Sequence, residues 1–212
     1  MIAIHAFPAS PRAFKALVAA NHLGIAYELK VVDLTKGQQG TPEFAAKNPN
    51  KRMPVLEDDG FVVWESNAII TYLADKAGDT ALYPREAKAR ANVLQWMFWE
   101  SCSFDPACAI LIFENFVKGF FGGGGPDASE VAKGTERFNK FAGVLDAQLK
   151  GKPFVCGDTL TLADIAIASP LIMAEPGKLP LGSFAEIRRW AVAMAALPAW
   201  KKTLALQAPA PG

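Results

Sequence analysis

MPVLEDDGFVVWESNAI, residues 53–69, decides how the chain is read. Val55-Leu56 and Phe61-Val62-Val63-Trp64 are short apolar runs of residues that favour strands. Asp58-Asp59-Gly60 lies between them and supplies the glycine that a tight turn with positive φ requires. The segment therefore reads as an antiparallel hairpin. With residue 57 opposite 61, paired positions sum to about 118, and position 53 falls near position 65.

That corner carries three chemical resources. Pro54 has no N–H, so it belongs on a strand edge or at a strand's first residue. If its bond with Met53 is cis, the chain turns there and presents the Met53 backbone to an incoming extended peptide. Ser66 opens a helical pattern whose first N–H groups form a carboxylate site. Glu65 beside it offers a partner for an ammonium. Together these residues describe a pocket for a zwitterionic amino acid joined to a short extended peptide. The same residues also suit a plain helix start, with Ser66 as cap and Glu65 in solvent.

The chain before the hairpin alternates in type. Residues 2–7 form an apolar run stopped by Pro8, and Ser10-Pro11 starts a helix with proline where its missing N–H is harmless. Phe14, Leu17, Val18 and Leu23 mark its apolar face, and Gly24 its end. A second strand over 27–32, a loop with Gly37 and Gly40, and a short helix over 42–47 follow. The order β-α-β-α-β-β-α, closing with a helix from 66 to about 77, implies a small sheet covered by helices.

Past residue 77 the strand signals stop. A long helical pattern passes through Val93, Trp96, Met97 and Trp99 to about 118, with Pro106 expected to kink it near Cys102. Four consecutive glycines, 122–125, read as a loop, since no strand precedes them and no GK[ST] follows. The helix expected over 127–150 carries Val131, Phe138, Phe141, Leu145 and Leu149 at core spacing. In Thr161-Leu162-Ala163-Asp164 the sequence predicts a capping box, with Asp164 reaching back to the N-cap. Two further helices, about 183–195 and 198–206, end the chain.

Composition bounds the function. With 51% apolar and 20% charged residues and a net charge of +1, the sequence has no electrostatic footprint for nucleic acid or an acidic membrane. Lys201-Lys202 is a solvated pair on a helix face. No run of about 18 apolar residues and no leader with an h-region of about 7–15 residues is present, so a cytoplasmic protein is expected. The three cysteines, Cys102, Cys108 and Cys156, show neither CxxC nor metal spacing, and no metal is expected. His5 and His22 read as structural.

MPVL, DDG and WESNAI together resemble the glutathione-binding half of cytosolic glutathione transferases. GDTLTLADIAIA, residues 157–168, resembles the helical half of the same family. The likeness extends over nearly the whole chain. It implies a thioredoxin-like α/β domain over residues 1–77, a linker over 78–86 and an all-helical domain over 87–212. By that resemblance Glu65 and Ser66 hold the γ-glutamyl end of glutathione and Met53, after the turn at Pro54, its cysteinyl backbone. Arg52 stands where plant phi members carry a glutamine, and with Gln39 and Lys51 it is a candidate for the glycine carboxylate. Dimerisation with a second copy is implied by the resemblance alone.

The thiol-activating residue departs from two family patterns. Where tyrosine-type members end the first strand Tyr-Phe-Pro, this chain reads Ala6-Phe7-Pro8, and no cysteine precedes Cys102. Ser10 remains, resembling the serine of the phi group and of bacterial Ser/Thr-Pro-Asn members, with Arg12 in place of the asparagine. Ser10 is expected to donate to the sulfur and Arg12 to assist electrostatically; as a bare helix residue Ser10 would simply be an N-cap. The electrophile's pocket is expected between the domains, lined by Phe7, Ala9, Phe104 and Phe113. Three functions fit: transfer of glutathione to a small apolar electrophile, glutathione-dependent reduction of disulfides or peroxides, and a noncatalytic binding protein on the same fold.

Overall fold

The computed structural model describes residues 1–207, so the last five positions of the expected helical domain, 208–212, lie outside the described residues. The chain forms two compact units, one from residues 1–83 with the segment from 195 onward, the other from 84–194. The segment from 195 onward belongs to the first unit, although the sequence pattern groups it with the helices that precede it.

The first unit is built on a four-stranded sheet, β1 (Ile2–Ala6), β2 (Tyr27–Val31), β3 (Val55–Asp58) and β4 (Phe61–Trp64), in the order β2-β1-β3-β4. β1 pairs parallel with β2 and antiparallel with β3, and β3 pairs antiparallel with β4. Residues alternate along β1, with Ile2, Ile4 and Ala6 buried. They face α1 (Pro11–His22) and α3 (Ser66–Ala77), where Ala13, Ala16, Leu17, Ala20, Ile69 and Leu73 complete the core. α2 (Pro42–Lys47) adds Phe44 to a smaller cluster with Val32 and Val55, against which Met53 and Val62 pack.

The hairpin differs from the expected register by one residue. Asp58 pairs with Phe61 and Val55 with Trp64, so the turn is the two-residue loop Asp59-Gly60. Both of these have positive φ, 47° and 90°, which is the twist-matched geometry that favours Asp-Gly. Continued past the last pair, the register sets Pro54 against Glu65 and Met53 against Ser66.

α1 also departs from the one-faced helix expected, because residues 13–20 are all buried. Its second side packs on α10 (Pro198–Leu204), where Phe14 meets Trp200 edge to face at 4.8 Å. His5 serves the structure as expected, paired with Glu57, which also binds Lys47 at 2.7 Å.

The second unit is helical. α4 (Ala87–Trp99), α5 (Asp105–Ile112) and α6 (Lys118–Phe120) form one interrupted rod. Five residues of wide π-type turn, Glu100–Phe104, precede α5 where Pro106 withholds an N–H, interrupting the regular helix at the place where a kink is expected. A second such turn, Phe113–Val117, has no proline. There the Asn115 side chain donates to the Leu111 carbonyl at 3.0 Å and to Gly177 at 3.2 Å, competing for the helix ladder. α7 (Ala128–Leu149) crosses α5 at Gly134, whose missing side chain matters: a Cβ there would lie 2.8 Å from Ile110. α8 (Leu162–Ala168) and α9 (Ala185–Ala196) follow. Among the described residues no helix is long and apolar enough to cross a membrane.

Asp164 is the polar centre of this unit, and it is 0% exposed. It accepts from the Thr161 backbone N–H and hydroxyl, each at 3.0 Å, closing the reciprocal half of the predicted box. It also accepts from Val155 N–H at 2.8 Å and Trp190 Nε1 at 3.0 Å. Burial pushes its carboxyl above the usual range while these donors pull it down. Asp164→Ala strands three or more buried donors, at about 1–3 kcal/mol each. We expect the melting midpoint to fall by about 10 °C or the variant to be insoluble; a midpoint within about 2 °C of wild type contradicts this role.

Asp58 closes the hairpin onto α3 through Lys76 and the Tyr72 hydroxyl, the latter at 2.5 Å. These hydrogen bonds, Lys76 first, hold its carboxyl below the usual range. A depressed folded-state pKa stabilises fully above the unfolded value of about 3.9 and is lost as pH falls through the lower folded value. Asp58→Asn should therefore melt below wild type at pH 7, with the gap narrowing as the pH falls below the unfolded value of about 3.9. A gap independent of pH contradicts the assignment.

Candidate active site

The hairpin register and the loops ahead of it converge on one cleft in the first unit, with a volume of about 270 Å³. Arg12 reaches it from α1, Leu34 and Gln39 from the segment after β2, and Asn48, Lys51, Arg52, Met53 and Pro54 from the loop before β3. Glu65 and Ser66 close it at the start of α3. Of the residues singled out in the sequence, Arg12, Gln39, Arg52, Met53, Pro54, Glu65 and Ser66 thus share one wall-to-wall space.

Local geometry explains how each is presented. The Met53-Pro54 bond is cis, and Met53 Sδ accepts the Phe7 N–H at 3.0 Å, tying this corner to the end of β1. Glu65 adopts φ 73° and ψ 115°, outside the regions favoured by side-chain-bearing residues, immediately before the first turn of α3. Strained backbone of this kind costs about 1–3 kcal/mol and gathers at ligand sites. It turns the Glu65 side chain to the surface while Ser66 stays buried. The first N–H groups of α3, beginning at Ser66, have no acceptor within their own helix.

Two supporting residues gave no signal in the sequence. Asn48 is only 3% exposed; its amide donates to the Arg52 carbonyl at 2.6 Å and its oxygen accepts from Asn50 N–H at 3.0 Å. It shapes the loop in which Lys51 takes a left-handed conformation, φ 54°, beside Arg52. Lys15 is 2% exposed and donates to Asn67 Oδ1 at 2.9 Å, joining α1 to the start of α3. Both are polar residues buried by partners that a local pattern does not reveal.

Charge in the cleft is lopsided, with Arg12, Lys51 and Arg52 against Glu65. It suits a ligand that carries more carboxylate than ammonium. Gln39 adds a buried side-chain oxygen without a hydrogen-bond partner, a polar atom that a ligand can satisfy.

Ser10 does not line this cleft but stands at the N-cap of the helix that carries Arg12 into it. Its backbone N–H donates to Phe7 at 2.8 Å and its carbonyl accepts from Phe14 at 2.8 Å. Its hydroxyl makes no capping hydrogen bond to the helix. Phe7 and Ala9, on either side of buried Pro8, are partly exposed. The other two residues expected around an electrophile belong to the helical unit. There Phe113 is 50% exposed, whereas Phe104 is 0% exposed, with Trp99 stacked at 5.4 Å and Phe138 at 5.7 Å. Phe104 thus serves the helical core.

Comparison with known proteins identifies the family. Residues 3–75 match the model of the glutathione S-transferase N-terminal domain, and residues 104–198 that of the glutathione S-transferase C-terminal domain. The chain is 32% identical to glutathione S-transferase D7 of Drosophila melanogaster over 95% of its own length and 88% of the relative's. It is 35% identical to glutathione S-transferase 3 of Zea mays, over 95% and 92% of the two chains. Among solved structures, glutathione transferase F7 of Populus trichocarpa superimposes with a TM-score of 0.90 at 26% identity, covering 99% of this chain and 100% of that one. Both halves of the family, full-length relatives and the mixed sheet with its helical partner lead to one conclusion: the chain belongs to the glutathione S-transferase family and is a glutathione transferase.

Proposed function

We propose that the cleft binds glutathione and that Ser10 holds its sulfur as a thiolate for attack on a small apolar electrophile. The observation that carries this reading is the convergence of Met53, Pro54, Glu65, Ser66 and three cationic side chains on one cleft beside the Ser10 helix start. The γ-glutamyl carboxylate lies on Ser66 and the first turn of α3, and its ammonium on Glu65. The cysteinyl backbone pairs with Met53, and the glycine carboxylate meets Gln39, Lys51 or Arg52. The ligand's two carboxylates and single ammonium match the excess of positive charge.

The magnitudes close. A free thiol has a pKa near about 8.5, so little thiolate exists at neutral pH. Lowering that value by about 1.5–2 units requires about 2–3 kcal/mol of preference for the thiolate. One hydrogen bond from a hydroxyl to a charged acceptor supplies about 1.5–3 kcal/mol. A hydroxyl not engaged in capping is what this task needs, and Arg12 strengthens the local field. The thiol proton leaves to solvent, the sulfur lone pair forms the carbon–sulfur bond, and the leaving group departs with its electron pair. Phe7 and Ala9 supply apolar surface beside Ser10, which supports an apolar electrophile. A cytoplasmic homodimer is the assembly in which we place this chemistry, on family resemblance.

The test is turnover with an aryl halide, an organic peroxide and a mixed disulfide, in wild type and Ser10→Ala. Wild type should conjugate the aryl halide, and Ser10→Ala should lose about 10–100-fold in kcat at neutral pH, the equivalent of that hydrogen bond. KM for glutathione should change less than about twofold, because Ser10 acts on the thiolate and not on the peptide. Equal kcat in the two proteins removes Ser10 from the mechanism. Turnover of the peroxide or disulfide alone assigns the site to reduction instead.

A further inference from the structure

We infer that Gln207 is a positioning residue for the thiol-activating corner, holding the Phe7–Ser10 segment through the carbonyl of Pro8. The inference rests on the assignment of Ser10 to the glutathione sulfur. The Gln207 side-chain amide donates to Pro8 O at 3.1 Å across nearly the whole length of the chain.

The segment needs such a tether. Pro8 and Pro11 have no N–H, so the link from β1 into α1 can make few backbone hydrogen bonds of its own. Inside it, Ser10 N–H bonds to Phe7 O at 2.8 Å. From outside, the Phe7 N–H meets the sulfur of Met53, a weak acceptor, and Pro8 O receives the Gln207 amide. Of these two ties, the amide is the stronger.

Gln207 can serve because its own position is set by α1. α10 is fixed to that helix by Trp200 against Phe14 and by Asn21 Nδ2 donating to Thr203 Oγ1 at 2.9 Å. Phe14 and Thr203 are fully buried. A short turn, Ala205–Gln207, then delivers the amide to Pro8. The contacts form a closed circuit: α1 holds α10, α10 carries Gln207, Gln207 holds Pro8, and Pro8 leads back into Ser10 at the head of α1. Play in Pro8 becomes play in the Ser10 hydroxyl relative to a sulfur held elsewhere in the cleft. Misplacement on the ångström scale is enough to cost catalysis.

The experiment compares full-length wild type, Gln207→Leu and Gln207→Lys. Three readouts are needed: the pKa of the bound glutathione thiol from thiolate absorbance, kcat and KM for glutathione, and amide hydrogen exchange at Ser10. Gln207→Leu keeps the bulk and removes the donor. It should raise the bound-thiol pKa, lower kcat roughly threefold or more with KM within about twofold, and speed exchange at Ser10. Gln207→Lys retains a donor and should restore all three towards wild type. Unchanged thiol pKa, kcat and Ser10 exchange in Gln207→Leu overturn the inference, as does a loss of kcat that only tracks a loss of folded protein. A wild type whose bound thiol has an ordinary pKa overturns the Ser10 assignment and this inference with it. A lowered wild-type pKa that Gln207→Leu leaves unaltered overturns this inference alone.

Discussion

A two-residue turn sets the register on which the rest of the site depends. Asp59 and Gly60 both take positive φ, the geometry whose twist matches a right-handed hairpin, and Asp58 therefore pairs with Phe61. A slip of one residue would exchange the faces of β4 and shift Glu65 and Ser66 by one position against the loop before β3. In the observed register the Met53-Pro54 corner lies against Glu65 and Ser66. The Asp58 carboxylate reinforces the arrangement by reaching Tyr72 and Lys76 on α3, so the strand pair and the helix that presents Ser66 are fixed together. The geometry of the cleft thus follows from a turn at the opposite end of the hairpin.

A second constraint acts on α1, which begins after Ser10, carries Arg12 to the cleft and is buried on two sides. The sheet takes one side, where alanines at 13, 16 and 20 permit close approach. α10 takes the other, through Phe14 and Trp200. Lys15 and Asn67 then connect α1 to α3 with a buried polar bond. The residues around the cleft are consequently held by packing in the body of the unit, which is how a site keeps its geometry before a ligand arrives.

The hairpin, the order of elements, the interruption of the helix near Pro106 and the Asp164 box were legible in the sequence because each rests on residues close together in the chain. Asp-Gly between apolar runs marks a turn, proline withholds an N–H, and Thr followed three positions later by an acid marks a helix start. What escaped was long-range. One residue of register was missed because it depends on Asp59 taking positive φ, which an Asp-Asp-Gly string leaves undecided. The second face of α1 was missed because α10 lies almost two hundred positions away. The π-type turn at Phe113–Val117 follows from Asn115 reaching a carbonyl on its own helix and another at Gly177, and an isolated asparagine announces neither bond. In the candidate site, register and helix-start chemistry were enough to expect Glu65, Ser66 and Met53 together, and they line one cleft. Asn48 and Lys15 are ordinary polar letters until their partners at Arg52 and Asn67 are in place.

The account stands on the claim that the hairpin corner and the start of α3 form the glutathione site. Calorimetric titration of S-methylglutathione tests it without involving the thiol or any electrophile. Wild type should bind one equivalent per chain, and Ser66→Ala should weaken that binding about tenfold or more, the loss of a hydrogen bond to a charged carboxylate. Equal affinity in the two proteins, or no binding to wild type, contradicts the placement of the ligand at this corner.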